Sequence, residues 1–522
     1  MLSTVLCASD VRLEYLNPSV NMNCSSVYII LDQCLRVELN SRRKLLSDIY
    51  KSQIFLPQKW GFKSSCYRYF QTSHKSQQTL KDGSTTLPSP QEVTTILREN
   101  EFNKEFEKGC IKSYDSNQLA SNKPIEDTRS EALCKKSSGM LMGIYDGHGG
   151  PACAQVISKR LLSYIAAALL PTDALKEYID SGCKTSLIET FNDRAEIVEE
   201  LKSKYEISFL SYLDELAKTP RDVPDVKKAL IDSILKLDSD LSNEVIDAYE
   251  KENAIHPKTL SVALSGAVAC VCHIDGPHLH VANVGDCNAV LGTLTEENEW
   301  IAKKITKEHN AENFDELKRI WGEHPEPEKK TVIRRDRLLG ELAPLRSMGD
   351  YRYKWTVELL TKLAVPYVGQ KAIPANYHTP PYLSATPEVF YRRITPKDKF
   401  LIVASDGLWD MITPLQAVKL VGQHMKGKVF FNPLKLPRKN IALGDINELL
   451  THRKESLKSK PKDRNAATHL IRHAIGGTEY GVDHARLAHL LSLAPDVSRM
   501  FRDDITVTVA YFDSEFIRQC PA

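Results

Sequence analysis

Short apolar runs recur along the chain, and several of them end or begin on aspartate. MLMGIY (140–145) runs into Asp146 and the loop Gly147-His148-Gly149-Gly150. KFLIVASDGLWD runs into Asp406-Gly407, with Asp410 behind it. HLHVANVGDCNAVLG sets Gly285-Asp286 between two short apolar segments, and FRDDITVTVAYF sets Asp503 and Asp504 directly before a third. Runs of this length, bounded by Gly and Asp, predict strands. In 140–145 and 399–404 the carboxylate follows the strand; at 505 it precedes it. Such carboxylates share one rim only if the strands run antiparallel.

The period then changes. Pro151 opens PACAQVISKRLLSYIAAALL, an amphipathic helix, and 171–260 places apolar residues at three-to-four spacing, as in flanking helices. EVTTILRENEF and NAATHLIRHAIGG predict two further helices, and Ile505–Phe512 a closing strand. LSGAVACVCHIDGPHLHVANVGDCNAVLG reads as a hairpin or meander, with turns at Asp275-Gly276 and Gly285-Asp286. Residues 361–381, rich in Pro and Tyr, read as an irregular flap, and the arginines of 331–355 as a solvated basic face. Lys426 to Arg464 is basic and broken by prolines, which suits a solvated loop; the alternative is a docking surface for an acidic partner. Alternation along Ile505–Tyr511 predicts that the odd positions face the core between two sheets. Asp503 shares that parity and is expected to point inward; Asp504 is expected to point outward, as a turn residue.

Composition narrows the class. A chain of 522 residues, 42% hydrophobic and 26% charged, can bury a large core. A net charge of +2 gives no nucleic-acid footprint, and the longest apolar run, near Tyr164–Leu170, is too short to span a bilayer. The 12 cysteines are scattered without zinc spacing and read as buried or free thiols. Residues 41–75 are basic, acid-poor and Ser-rich, which predicts a mitochondrial targeting segment, with a disordered basic arm as the alternative. Because 1–40 is more acidic, a downstream start such as Met22 fits better. The expected organisation is an extension over 1–75, a linker with a short helix over 76–109, and one catalytic domain over 110–515.

Clustered carboxylates repel, so the shared rim requires cations, and ligation by oxygen alone suits Mg²⁺ or Mn²⁺. Gly147 lets an ion approach its carbonyl closely. His148 is the neighbouring side chain able to exchange a proton near neutral pH. Glu126-Asp127, ahead of another predicted strand, could lean on the same cluster. Cys153 lacks an arginine-cradled loop around it, which favours metal-activated water over a thiol nucleophile.

The motifs YDGHGG, NVGD, the Leu-x-x-x-Arg-Ser-x-Gly-Asp run at 342–350, SDGLWD and RDDITV, in this order, resemble the metal-dependent 2C-type protein serine/threonine phosphatases. Within that family, DSNQLASNKPIED, ANYHTPPYL, NAATHLIRHAIGG and RMFRDDITVTV are most similar to the branch that acts on pyruvate dehydrogenase. The resemblance implies an αββα fold: a two-sheet antiparallel sandwich flanked by helices. It implies two Mg²⁺ or Mn²⁺ ions, with Asp146 bridging and Gly147, Asp406 and Asp503 as further ligands. Glu126 and Asp127 would support the second ion, Asp286 and Asp410 a weaker third, and His148 would be the general acid. It also implies phosphoserine on the E1α subunit as substrate and the mitochondrial matrix as location. Docking on the lipoyl domain of the acetyltransferase core, aided by Ca²⁺, and a regulatory subunit belong to the same expectation. Two positions depart from the family: Asn122 stands where many members have a phosphate-holding arginine, and Cys287-Asn288 stands for Ser-Arg. A cytosolic phosphatase of other substrates and a non-catalytic regulatory relative are the alternatives.

Overall fold

The alternating segments build two antiparallel sheets packed face to face, each covered on its outer side by helices. The computed structural model describes residues 87–191, 199–428, 443–458, 462–478 and 481–521. The expected targeting segment, 1–75, lies outside them, as do the start of the linker and part of the basic 426–464 stretch.

The strands longer than two residues are β1 (Phe102–Glu105), β2 (Ile111–Leu119), β3 (Thr128–Cys134), β4 (Met140–His148), β5 (Ile188–Phe191) and β6 (Gly266–Asp275). They continue as β7 (His278–Val284), β8 (Asn288–Leu294), β9 (Trp300–Lys304), β10 (Glu388–Arg393), β11 (Asp398–Ala404) and β12 (Ile505–Phe512). One sheet has the order β1-β2-β12-β11-β8-β9. The other has the order β10-β7-β6-β4-β3-β5, with Met348–Gly349 paired to β6. β11 and β12 are antiparallel neighbours, as a shared rim requires.

Three apolar layers hold the sandwich. Met140, Met142, Ile144, Val268, Leu401 and Val403 meet between the sheets. The alternate residues Leu141 and Tyr145 pack outward against the helices Ala152–Ala168, Val226–Glu252 and Pro257–Leu264. On the far side, Ile402 and Val507 pack against Pro90–Arg98, Pro414–Lys428, Ala466–Gly476 and His484–Ser492. The helix expected over EVTTILRENEF (92–102) instead spans Pro90–Arg98, because Ser89 and Glu92 form a reciprocal capping box, Pro90 takes the first turn, and Phe102 already opens β1.

Several expectations are corrected. Residues 171–260 are not wholly helical, because Ile188–Phe191 adds an edge strand to the second sheet. Asp275-Gly276 does close a hairpin, but Gly285-Asp286 does not: β7 and β8 belong to different sheets, and the chain crosses the sandwich there. The parity expected for β12 is reversed. Ile505, Val507, Val509 and Tyr511 face the helices, whereas Ala510 faces the other sheet and Thr508 Oγ1 donates to Glu131 on β3 at 3.3 Å. All eight residues of β12 are buried, so hydrophobicity alone does not distinguish its faces.

Candidate metal centre

The ends of β4 and β11 and the segment before β12 meet at one rim. Each strand yields to a residue that permits a tight exit. A Cβ on Gly147 would lie 2.3 Å from the Glu126 carbonyl oxygen, and one on Gly407 would lie 2.0 Å from that of Asp504. Backbones in such contact hold Glu126 beside Asp146 and the Asp503-Asp504 segment beside Asp406.

Glu126, Asp127, Asp146, Asp286, Asp406, Asp410 and Asp503 all fall in this cluster. Burial raises the Asp146 carboxyl well above the usual carboxylate range, and Asp127, Asp406 and Asp286 add to the shift. Asp286 is pushed up to about 7 by burial and by Asp406. Asp406 rises to about 6 through burial, with Asp503 and Asp410 contributing and a hydrogen bond to Asp146 opposing. Asp127, Glu126 and Asp410 are raised mainly by burial and then by neighbouring carboxylates. A set of oxygen donors that destabilise one another's charge is the arrangement a hard divalent cation relieves, and these residues fit Mg²⁺ or Mn²⁺.

Asp503 and Asp504 divide their roles in a way the sequence did not show. Asp503 is exposed and faces Asp406 and Asp410. It lies ahead of β12, which begins at Ile505. Asp504, expected to point outward as a turn residue, is 1% exposed and clamps the segment before β3. Its Oδ1 accepts from the backbone N–H of Ser121 (2.5 Å) and Asn122 (2.8 Å); its Oδ2 accepts from Glu126 N–H (2.8 Å) and Asn122 Nδ2 (3.1 Å). That clamp holds Glu126 and Asp127 at the rim. Glu126 Oε1 then accepts from Gly150 N–H (2.7 Å), and Asp127 Oδ2 from Ser405 Oγ (2.8 Å).

His148 stands at the edge of the cluster. Its Nε2 is 2.6 Å from Asp350 Oδ2, which also accepts from Ser347 Oγ at 2.6 Å. Burial disfavours the charged ring, but Asp350 outweighs it, with Asp286 and Glu126 adding, so the net shift is upward. Asp350 is a functional partner that no single stretch of sequence marks as such, although it closes the Leu-x-x-x-Arg-Ser-x-Gly-Asp run at 342–350. The Gly349-Asp350 turn places Asp350 at φ 52° and Gly349 at φ 70°.

The atypical positions also resolve. Asn122 turns its amide onto Asp504 and, at 3.4 Å, onto Asp503. Cys287 is buried between the sheets, and Asn288 Nδ2 donates to Glu308 at 2.5 Å. Cys153 is buried with its thiol pushed well up by that burial, so it makes a poor nucleophile. The basic 331–355 stretch is not simply a solvated face: Arg346 is 8% exposed and paired with Glu316 through two nitrogens.

A second cluster, His309, Glu316 and Glu388, brings its ligand atoms within 4.8 Å of one another, yet it does not suit a cation. His309 Nδ1 accepts from Gly285 N–H at 3.0 Å, which leaves the proton on Nε2 facing Glu388 at 3.6 Å. Glu316 is already neutralised by Arg346 and Arg319, which bring it down to about 2 against the opposing effect of burial. The group buttresses the Gly285-Asp286 corner from behind.

Comparison with known proteins identifies the family. The protein phosphatase 2C family model matches residues 193–443. Human mitochondrial pyruvate dehydrogenase (acetyl-transferring)-phosphatase 1 is 42% identical over 452 residues, covering 82% of this chain and 84% of that protein. Human mitochondrial phosphatase 2 of the same name is 41% identical over 454 residues, with the same coverage. The mitochondrial phosphatase 1 of Saccharomyces cerevisiae is 30% identical over 485 residues, covering 84% of this chain and 76% of its own.

Proposed function

The chain belongs to the protein phosphatase 2C family of protein serine/threonine phosphatases, and from that premise we propose that it hydrolyses phosphoserine on the pyruvate dehydrogenase E1α subunit. The observation that carries the reading is the convergence of seven carboxylates from both sheets beside a protonatable His148–Asp350 pair. Support for the substrate comes from the names of the relatives. The family depends on Mg²⁺ or Mn²⁺.

In this reading Asp146, Gly147 O, Asp406 and Asp503 would hold one cation, and Glu126 and Asp127, with Asp146, would support another. Asp286 and Asp410 would be the ligands of a weaker third. Bound there, divalent cations would neutralise charge on the phosphate oxygens and would lower the pKa of the attacking water. The protein fixes the geometry: Asp504 holds the 121–126 segment, and Ser405 orients Asp127. His148, with Nε2 committed to Asp350, donates from Nδ1 to the departing serine oxygen. Asp350 keeps the ring protonated and oriented.

The same reading places the protein in the mitochondrial matrix, docked on the lipoyl domain of the acetyltransferase core with Ca²⁺ assisting and a regulatory subunit attached. The test is release of phosphate from phosphorylated pyruvate dehydrogenase by the purified chain with Mg²⁺ or Mn²⁺. Activity that survives exhaustive chelation would overturn the metal mechanism. Failure to act on that phosphoprotein, with small phosphate esters still hydrolysed, would overturn the substrate. A pull-down without association to the core, with or without Ca²⁺, would remove the docking proposal.

A further inference from the structure

A cavity of about 460 Å³ opens beside the catalytic loop, between the helix Pro257–Leu264 and the segment 352–372. Gly149, directly after His148, forms part of its wall, so the cavity begins where the leaving serine is expected. Leu260 and Leu264 line one side; Tyr367 and Val368 face them. Tyr367 is 51% exposed and Val368 38%, an unusual outlay of apolar surface next to a reaction centre. The charged residues of the lining are two cations, Arg352 and Lys371, beside the hydroxyls of Ser261 and Ser265, and no acid lines it. Glu341 accepts from Arg352 at 2.5 Å, which matches that charge and leaves exposed Lys371 as the cation at the mouth.

The backbone explains why the wall stands there. Where an irregular flap was expected, Val357–Val368 is helical, and Leu360–Ala364 within it forms a wide π-type turn, a rare geometry frequent at functional sites. It buries Leu360, Leu363 and Ala364, and Gly369 at φ 81° reverses the chain just beyond Tyr367 and Val368. The turn thus spends its apolar residues on anchoring and leaves two more facing the cavity.

We propose that this cavity is a substrate-reading subsite for the stretch of phosphoprotein flanking the phosphoserine. An apolar side chain lies between Leu260 and Val368, and an adjacent carboxylate meets Lys371. The proposal rests on the phosphatase reading above and adds which peptide chemistry is selected. The selection is local to the reacting serine and separate from any docking on a larger complex. Apolar contact supplies the affinity, and the charge pair supplies discrimination.

The experiment uses the full chain with Mn²⁺ and three substrates: p-nitrophenyl phosphate, a short phosphoserine peptide flanked by Leu and Glu, and the same peptide with Ser and Lys there. Val368→Ser should raise KM for the Leu/Glu peptide about 3- to 10-fold, and Lys371→Glu by a similar factor. Neither should change turnover of p-nitrophenyl phosphate, and Lys371→Glu should reverse the preference toward the Lys peptide. Equal effects on all three substrates, or no effect on the peptides, would overturn the subsite. Failure of the wild type on p-nitrophenyl phosphate would instead overturn the phosphatase reading. The subsite is then read from anisotropy of the fluorescein-labelled Leu/Glu peptide, where equal binding by wild type and variants counts against it.

Discussion

Substituting the neighbours Asp503 and Asp504 should separate chemistry from architecture. In Asp504→Asn, one carboxylate oxygen becomes an amide NH₂ that must face donors. If the Oδ2 side is replaced, the Glu126 N–H and the Asn122 Nδ2 lose their acceptor; if the Oδ1 side, the N–H groups of Ser121 and Asn122 do. Hydrogen bonds to a charged acceptor are worth about 1.5–3 kcal/mol each, and a buried donor left unpaired costs about 1–3 kcal/mol. Losing two at a residue 1% exposed should therefore cost roughly 3–5 kcal/mol, a large fraction of an ordinary 5–15 kcal/mol. Asp503→Asn removes an exposed charge from a repelling cluster, so its stability without metal should stay within about 0.5 kcal/mol of wild type or rise. Its turnover should nevertheless fall almost to background, whereas Asp504→Asn should retain activity reduced about 10- to 100-fold, as for a residue one step removed from the ion. The assay is urea unfolding of the metal-free proteins, followed by tryptophan fluorescence, paired with turnover across a Mn²⁺ titration. The reasoning is refuted if Asp504→Asn unfolds with the wild-type midpoint, or if Asp503→Asn is the less stable of the two.

Metal-free protein should become more stable as pH falls from about 7 toward 5. Asp286 and Asp406 titrate near 7 and 6 when folded, so the folded state binds protons that the unfolded chain releases, and the gain is lost as pH rises through those values. Thermal unfolding across pH with chelator checks this, and Mn²⁺ at neutral pH should abolish the dependence. Asp350→Asn removes the charge that raises His148, so the alkaline fall in kcat should move to lower pH; a profile that stays in place would remove Asp350 from the mechanism. Arg499, exposed between the turn Pro495–Ser498 and Asp503, acts electrostatically on Glu126, and a cation that near the carboxylate cluster is expected to attract the phosphate dianion. Arg499→Ala should lower kcat/KM about tenfold, worth about 1.4 kcal/mol, with the Mn²⁺ titration midpoint unchanged.

Local pattern alone determined the positions of the chemistry. A strand that ends on Asp followed by Gly is legible in a single stretch, and Asp146, Asp406, Gly147 and His148 come from such stretches. The opposite placement of Asp503 on its strand already required antiparallel neighbours, and β11 and β12 are such neighbours. The hairpin at Asp275-Gly276 and the helices at 90–98, 152–168 and 466–476 were also local signals. What only the tertiary structure decided was whatever depends on a second, distant segment. The acidity of His148 depends on Asp350, 202 residues away, and the rim position of Glu126 depends on Asp504, 378 residues away. No short-range period encodes such pairs. The faces of β12 escaped for a different reason: alternation reveals an inside only when the other side is wet, and here helices cover one face and a sheet the other. Gly285-Asp286 looks like a hairpin turn for the same kind of reason. Its glycine permits the bend, but which sheet the next strand joins is settled by packing across the sandwich.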